Sequence, residues 1–195
     1  MSTETSGPVP AAPSTIRLFV AVDPSGPAVA DLAAAVRRLR TVPRRVRPEL
    51  WHVTLAFLGE VDQAALPAVE GAIAEAAEKS RPGTLRIGGG GRFGASVLWA
   101  GLRGDTDALR ALAAALRNSL RGADLLFDER PYRPHVTIGR PAGRATAEQL
   151  RADLELLGRY RGPSWPLDEI HLVRSYHQRG AAVQHERLSS WHLTG

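Results

Sequence analysis

One four-residue phrase occurs twice in this chain, and it constrains the fold more than any other feature. His52-Val53-Thr54-Leu55 lies in the apolar run Leu50–Leu58, and His135-Val136-Thr137-Ile138 lies in the run Tyr132–Ile138. Both runs are rich in β-branched, aliphatic and aromatic residues and are bounded by turn formers, Pro48 and Gly59 or Pro131 and Gly139, which predicts β-strands. In a strand, alternate side chains share a face. His52 would then point with Thr54, and His135 with Thr137, while the valines and the fourth residues back them with apolar surface. A fold that satisfies both runs must bring two such polar faces to one place.

A single His-x-Thr is weak evidence. With 6 His in 195 residues, chance supplies about 0.3 copies per chain. His192-Leu193-Thr194 also fits the letters, but it runs straight into Gly195 without an apolar fourth residue, and is read as coincidence. The other two share Val in second place, an apolar residue in fourth and a glycine soon after. They are 83 positions apart (135 − 52), about half of a duplicated domain.

The order of elements repeats as well. Thr15–Val22 reads as a buried strand. A helix follows with Val29, Leu32, Val36 and Leu39 at helical spacing, then a basic loop Pro43–Pro48, which either contacts phosphate or is merely solvated. After the first motif strand, Asp62 can cap a helix that presents Leu66, Val69, Ile73 and Ala77. A strand over Leu85–Ile87 then runs into Gly88–Gly91. The stretch Gly89–Gly94 matches GxGxxG by letter, yet a strand, Val97–Leu102, follows where a dinucleotide loop requires a helix, so the glycines read as a hairpin or hinge. The second half offers a helix with Leu109, Leu112, Leu116 and Leu120, the second motif strand, a capping box Thr146–Gln149 opening a helix with Leu150, Leu154 and Leu157, and strands over Leu167–Tyr176 and Ala182–Trp191. The expectation is an α+β fold of two pseudo-symmetric lobes. Each would be a mixed, mostly antiparallel sheet with helices outside, and the site would lie in the cleft between lobes. Residues 1–14 are expected to be a disordered tail and 15–195 a single bilobal domain.

Composition narrows the chemistry. Cysteine is absent, which removes disulfides, thiol nucleophiles and cysteine metal sites and is compatible with a reducing cytoplasm. No apolar run is long enough to span a membrane. The net charge of +5 suits a polyanionic partner mildly, and Lys79 is the single lysine among 25 basic residues. Guanidinium groups grip phosphate in two-point fashion, although a GC-rich genome also favours arginine. Two histidines across a cleft can act as general acid and general base, since imidazole titrates near neutrality. Threonine hydroxyls on the same faces can hold phosphate oxygens. Metal-ligand spacings are lacking, and neither a metal nor a cofactor is expected.

These residues, together with Arg17–Val22, Trp51–Gly59, Val97–Gly101, Arg133–Arg140 and Ile170–Ser175, resemble the 2H phosphoesterases, and among them the RNA 2′,3′-cyclic phosphodiesterases once described as 2′-5′ RNA ligases. Relatives often carry proline and a basic residue where this chain has Gly94-Ala95-Ser96. The resemblance implies that His52 donates a proton to the departing 3′ oxygen, and that His135 accepts one from water to give a 2′-phosphate. Thr54 and Thr137 would bind the phosphate. The residues alone are symmetric as to which histidine is acid. Arg130 and Arg140 flank the second motif and are reasonable substrate contacts. Strict alternation would put Arg140 on the face of Ile138 and not on that of His135. Phe19 and Trp51 offer either a stacking surface or core packing, and core is favoured. His171, His177, His185 and His192 have no partner pattern and are expected to be structural. The expected partner is RNA or a nucleotide with a cyclic phosphate end, with no obligate protein partner and a monomeric state. A module that binds RNA ends without turnover, and a metal hydrolase using the histidine pair, are the competing readings.

Overall fold

The computed structural model describes residues 14–94, 96–143, 145–177 and 182–195. The expected tail therefore lies, apart from Ser14, outside the described residues. Four helices pack on nine strands: β1 (Thr15–Val22), α1 (Gly26–Val36), β2 (Arg44–Arg45), β3 (Val53–Asp62), α2 (Leu66–Glu78), β4 (Gly83–Phe93), β5 (Val97–Gly104), α3 (Thr106–Gly122), β6 (Val136–Arg140), α4 (Ala147–Arg159), β7 (Arg161–Leu167), β8 (Glu169–Tyr176) and β9 (Gln184–His192).

The strands form one sheet in the order β7-β4-β5-β6-β3-β1-β8-β9, with β2 attached to β6. Every pairing among the described strands is antiparallel, so the expected mixture of directions resolves to one kind. Read outward from the middle, β6-β5-β4-β7 repeats β3-β1-β8-β9, and these are the two lobes of the α+β fold. They are not the two halves of the chain: β4 crosses to pair with β5, while β8 and β9 return to pair beside β1. The lobes join where Val53 of β3 pairs with Val136 of β6.

Alternation along β1 decides which side carries the core. Ile16, Leu18, Val20 and Val22 enter the main core with the helices, while Phe19 and Ala21 face the other way, against Val173 and Phe57. The helices thus cover one face and leave the other for the site. α3 follows the predicted spacing, burying Leu109, Leu112, Leu116 and Leu120 completely, each contributing about 2 kcal/mol. The capping box of α4 forms as expected: Gln149 N–H donates to Thr146 Oγ1 at 3.2 Å and Thr146 N–H donates to Gln149 Oε1 at 3.0 Å. Asp62 accepts from Ala64 N–H and caps a short 3-10 turn, Gln63–Ala65, one step ahead of α2. No helix among the described residues is long and apolar enough to cross a membrane.

Two expectations change here. The glycine run is no hinge: it lies within β4, which continues to Phe93 and pairs with β5 as one arm of the expected hairpin. A Cβ on Gly91 would lie 2.5 Å from Cζ2 of Trp99, and one on Gly90 would lie 2.7 Å from Cβ of Leu157. The bare backbone lets the indole on one side and α4 on the other rest directly on the strand. The second change concerns the basic loop, which forms β2, paired through Arg44 with Arg140 and Arg45 with Gly139. Its approach is fixed by Asp153, 3% exposed, which accepts from the backbone N–H of Arg40 at 3.0 Å and of Thr41 at 2.8 Å, and from Thr41 Oγ1 at 2.6 Å.

Replacing Asp153 with Ala leaves those buried donors without an acceptor. The expected loss is about 3 kcal/mol of stability, read from the urea midpoint at unchanged m-value, and an Asn replacement is expected to lose less.

Candidate active site

Both motif histidines sit one residue ahead of their strands, since β3 begins at Val53 and β6 at Val136. The cause is local and the same in each. Pro48 opens a 3-10 turn, Pro48–Leu50, before Trp51-His52, and Pro134 directly precedes His135. Each imidazole then folds back on the carbonyl two residues earlier: His52 Nδ1 lies 2.8 Å from Leu50 O, and His135 Nδ1 lies 2.7 Å from Arg133 O. A carbonyl oxygen only accepts, so Nδ1 carries the hydrogen in both rings. Nε2 of each is left for proton transfer.

The strand pairing between the lobes sets the relation of the two motifs. Val53 and Val136 are the second residues of the two motifs, and they pair with each other. Extending that antiparallel register by one residue either way sets His52 across from Thr137 and His135 across from Thr54. Each histidine therefore meets the threonine of the other motif. Two recesses open on this line. One, of about 500 Å³, has His52 and Thr137 in its wall with Arg45, Arg47 and His185. The other, of about 710 Å³, has Thr54, His135 and Thr137 with Phe57, Phe93 and Tyr132. They share Thr137.

Aromatic rings shelter both histidines. Phe19 lies 4.6 Å from His52 between ring centres, and Phe93 lies 4.8 Å from His135 at an interplanar angle of 86°. Burial is the main reason that both imidazoles are held below their ordinary value. The Leu50 carbonyl and Asp23 oppose it at His52, while repulsion from His135 adds to it, and the Arg133 carbonyl opposes it at His135. Burial thus biases each ring towards its neutral form.

Arg140 lines the second recess with His135 and Thr137, contrary to the expectation from alternation. β5 pairs Leu98 with Gly139 and Trp99 with Thr137, so β6 carries one extra residue there. That bulge reverses the parity and returns Arg140 to the histidine face. Arg130 also borders this recess, but its guanidinium is exposed and engaged by Asp128, with Nε 2.9 Å from Oδ1 and 2.8 Å from Oδ2. Arg117 of α3 fastens this loop, donating from Nη2 to the carbonyls of Asp128 at 2.7 Å and Arg130 at 2.9 Å. Of the two aromatic candidates, Trp51 is core, whereas Phe19 is buried against the site itself.

Sequence reasoning missed His185, Phe93, Tyr132 and Asp23. His185 packs edge-on to His52 at 5.3 Å and to Phe19 at 4.9 Å, and lines two recesses beside His52. No signal in Gln184-His185-Glu186 marks it. The Tyr132 hydroxyl is buried in the wall of the second recess without a hydrogen-bond partner. His171 is core, 4% exposed, with Nδ1 2.8 Å from Ser190 Oγ. His177 is 3.1 Å from Ser175 Oγ. His192 is exposed at the end of β9, in keeping with a chance motif. Among the described residues no three of His, Asp and Glu converge as a metal site.

A family model described as the 2′-5′ RNA ligase superfamily matches residues 24–179. The chain is 34% identical over 99 residues to an RNA 2′,3′-cyclic phosphodiesterase of Geobacillus stearothermophilus, covering 49% of this chain and 31% of that protein. It is 36% identical over 107 residues to an RNA 2′,3′-cyclic phosphodiesterase of Escherichia coli K12, covering 52% of this chain and 57% of that one. The matched stretches thus span about a third and somewhat over half of those curated relatives. In three dimensions the chain is similar to E. coli LigT in its crystal structure with phosphate, at a TM-score of 0.71 and 26% identity over 93% of this chain and 99% of that one.

The histidine environments make a pH prediction. His185 is pushed down to about 4, by burial first and then by His52 and His177, against Asp23. In the unfolded chain it binds protons near 6.5. The unfolded state therefore holds more protons between those values, and stability falls as pH drops from about 6.5 towards 4, with no contribution above 7. Urea unfolding of wild type and His185→Phe at pH 7.5, 5.5 and 4.5 is expected to show a difference that shifts in favour of the variant as pH falls.

Proposed function

The chain belongs to the 2′-5′ RNA ligase superfamily, and from that premise we propose that it opens 2′,3′-cyclic phosphate ends of RNA to 2′-phosphates by two-histidine acid–base catalysis. The observation that carries the proposal is the shared constraint on the two imidazoles. Each has Nδ1 tied to a carbonyl, Nε2 free, and the other motif's threonine across the strand pair.

In the proposed reaction the phosphate enters between the rings, with Thr54 and Thr137 donating their hydroxyls to its non-bridging oxygens. His135, neutral through burial, takes a proton from water as the water oxygen bonds phosphorus. His52 gives its proton to the 3′ oxygen as that bond breaks. The phosphate's negative charge counteracts the desolvation that keeps His52 neutral, so the acid is charged when substrate is present. Arg140 adds positive charge on the His135 side, and Arg130 reaches the substrate by leaving Asp128. Run in the same direction with a ribose hydroxyl of a second chain in place of water, the same steps form a 2′-5′ link and free the 3′ hydroxyl; run backwards, they cleave that link and restore the cyclic phosphate. The aromatic lining beside both histidines suits nucleosides. Residues 15–195 are the acting unit, working in the cytoplasm on RNA ends without an obligate protein partner.

Hydrolysis of a 2′,3′-cyclic nucleotide is expected to persist in EDTA and to give the 2′-phosphate. His52→Ala and His135→Ala should each lower kcat by about 100- to 10,000-fold while the chain stays folded by circular dichroism. Chelation that abolishes turnover would replace this reading with a metal hydrolase, and tight binding of cyclic ends with no turnover at all would replace it with a binding module. Thr137→Val is expected to cost more activity than Thr54→Val, since Thr137 borders both recesses.

A further inference from the structure

The two-fold likeness of the lobes supplies an internal comparison for each residue beside the histidines. In one lobe Val22 pairs with Val53 and Ala21 with Thr54. In the other Ala100 pairs with Val136 and Trp99 with Thr137. Position 22 thus corresponds to position 100. One further residue along each antiparallel register sets Asp23 across from His52, and Gly101 across from His135. Gly101 has no side chain, and a Cβ there would come within 3.0 Å of the Gly88 carbonyl oxygen. A carboxylate stands beside one histidine, while the corresponding place beside the other carries no side chain and is tight for one.

Asp23 is also built into its place. It shares a small recess with His52, Glu49, His185 and Arg187. Arg187 Nη2 donates to its Oδ2 at 2.6 Å, and His171 Nε2 is 3.8 Å from the same oxygen. The acid–base mechanism proposed for the histidine pair uses neither Asp23 nor Arg187 nor His171.

We propose that Asp23 is the positioning residue that assigns the two histidines their roles, its carboxylate stabilising the protonated ring of His52 so that His52, and not His135, is the proton donor. The inference rests on the phosphodiesterase reading and goes beyond it by explaining what breaks the symmetry of the site. Opposite charge within a few ångströms favours an imidazolium ring. At His52 the Asp23 charge works against burial, whereas at His135 only the Arg133 carbonyl does so. Glu49 shares the small recess with Asp23 and His52, and Arg45 and Arg47 border His52 on its other side. Around His135, Arg117, Arg130, Arg133 and Arg140 line the recess with Asp128, whose carboxylate is taken up by Arg130. Arg187 offsets part of the Asp23 charge, His171 lies between Asp23 and Glu169, and His185, with its proton affinity pushed down to about 4, is neutral in the working range. In the step that depends on Asp23, the P–O3′ bond breaks and the Nε2 proton of His52 passes to the 3′ oxygen. The entering water bonds phosphorus and its proton goes to His135. One water is consumed and the ring opens.

Asp23→Asn keeps the shape of the side chain and an oxygen for Arg187 while removing the charge. The test compares a 2′,3′-cyclic nucleotide with its analogue carrying sulfur at the bridging 3′ position. A thiol ordinarily titrates near about 8.5, so a thiolate departs without a proton. With the oxygen substrate, Asp23→Asn is expected to lower kcat about 10- to 100-fold at nearly constant KM. With the sulfur analogue it should stay within about twofold of wild type. His52→Ala should show the same contrast more strongly, His135→Ala should lose both substrates, and Asp23→Glu should recover part of the loss. Ring-nitrogen NMR needs no turnover and gives a second readout: titration of His52 should move to lower pH in Asp23→Asn while that of His135 stays. An equal loss on both substrates, or full activity on both, overturns the role given to Asp23. Indifference of turnover to His52→Ala and His135→Ala overturns the parent reading instead, so the two failures are distinct.

Discussion

Two valines hold this site together. Val53 and Val136 each stand between the histidine and the threonine of a motif, and they are the one pair through which β3 meets β6. Because that pairing is antiparallel, the motifs meet head to tail, and each imidazole faces the other's hydroxyl rather than its own double. Two near-identical phrases thus become one site with two unlike ends. A parallel meeting would have set histidine beside histidine and left the phosphate without a threonine between them. Both valines are completely buried, so the relation is fixed by packing from the core side and shaped by polar groups on the other.

The chemistry depends on taking imidazoles partly out of water without stranding them. A carbonyl two residues back holds each Nδ1–H, which fixes ring and tautomer together and leaves Nε2 in the cleft. Aromatic rings then exclude solvent from one side of each histidine. Burial favours the neutral form, and that suits a base. In the proposed mechanism the acid needs a counterweight, and Asp23 stands on the side of His52 only.

Several readings failed for reasons that lie in the sheet. Glycines 88–91 look like a break in one dimension. They are strand because β4 pairs there with β5, and Gly90 and Gly91 are bare because Leu157 and Trp99 occupy the volume their side chains would need. Arg140 was assigned to the wrong face by counting in twos, a rule that a one-residue bulge in β6 suspends. His185 carries no local signal at all, since its partners Phe19 and His52 are more than a hundred residues away and meet it only once β8 has laid β9 along the first lobe. The helices fared better, because their apolar spacing and the caps at Asp62 and Thr146 are matters of a few neighbouring residues.

The chain by itself determined the helices and most of the strands, though not β2 or β7, the repeated motif with its four polar side chains, and the absence of cysteine chemistry. These follow from local periodicity and from the chemistry of single side chains, both of which are written along the sequence. Tertiary structure alone decided that the lobes exchange strands, that each histidine meets the opposite threonine, and that Arg140 turns inward. It also decided that a carboxylate lies beside His52 while a glycine stands at the corresponding place beside His135. Each of these is a matter of register between distant strands, and register is set by how two faces pack and where a bulge falls, which no stretch of a few residues encodes.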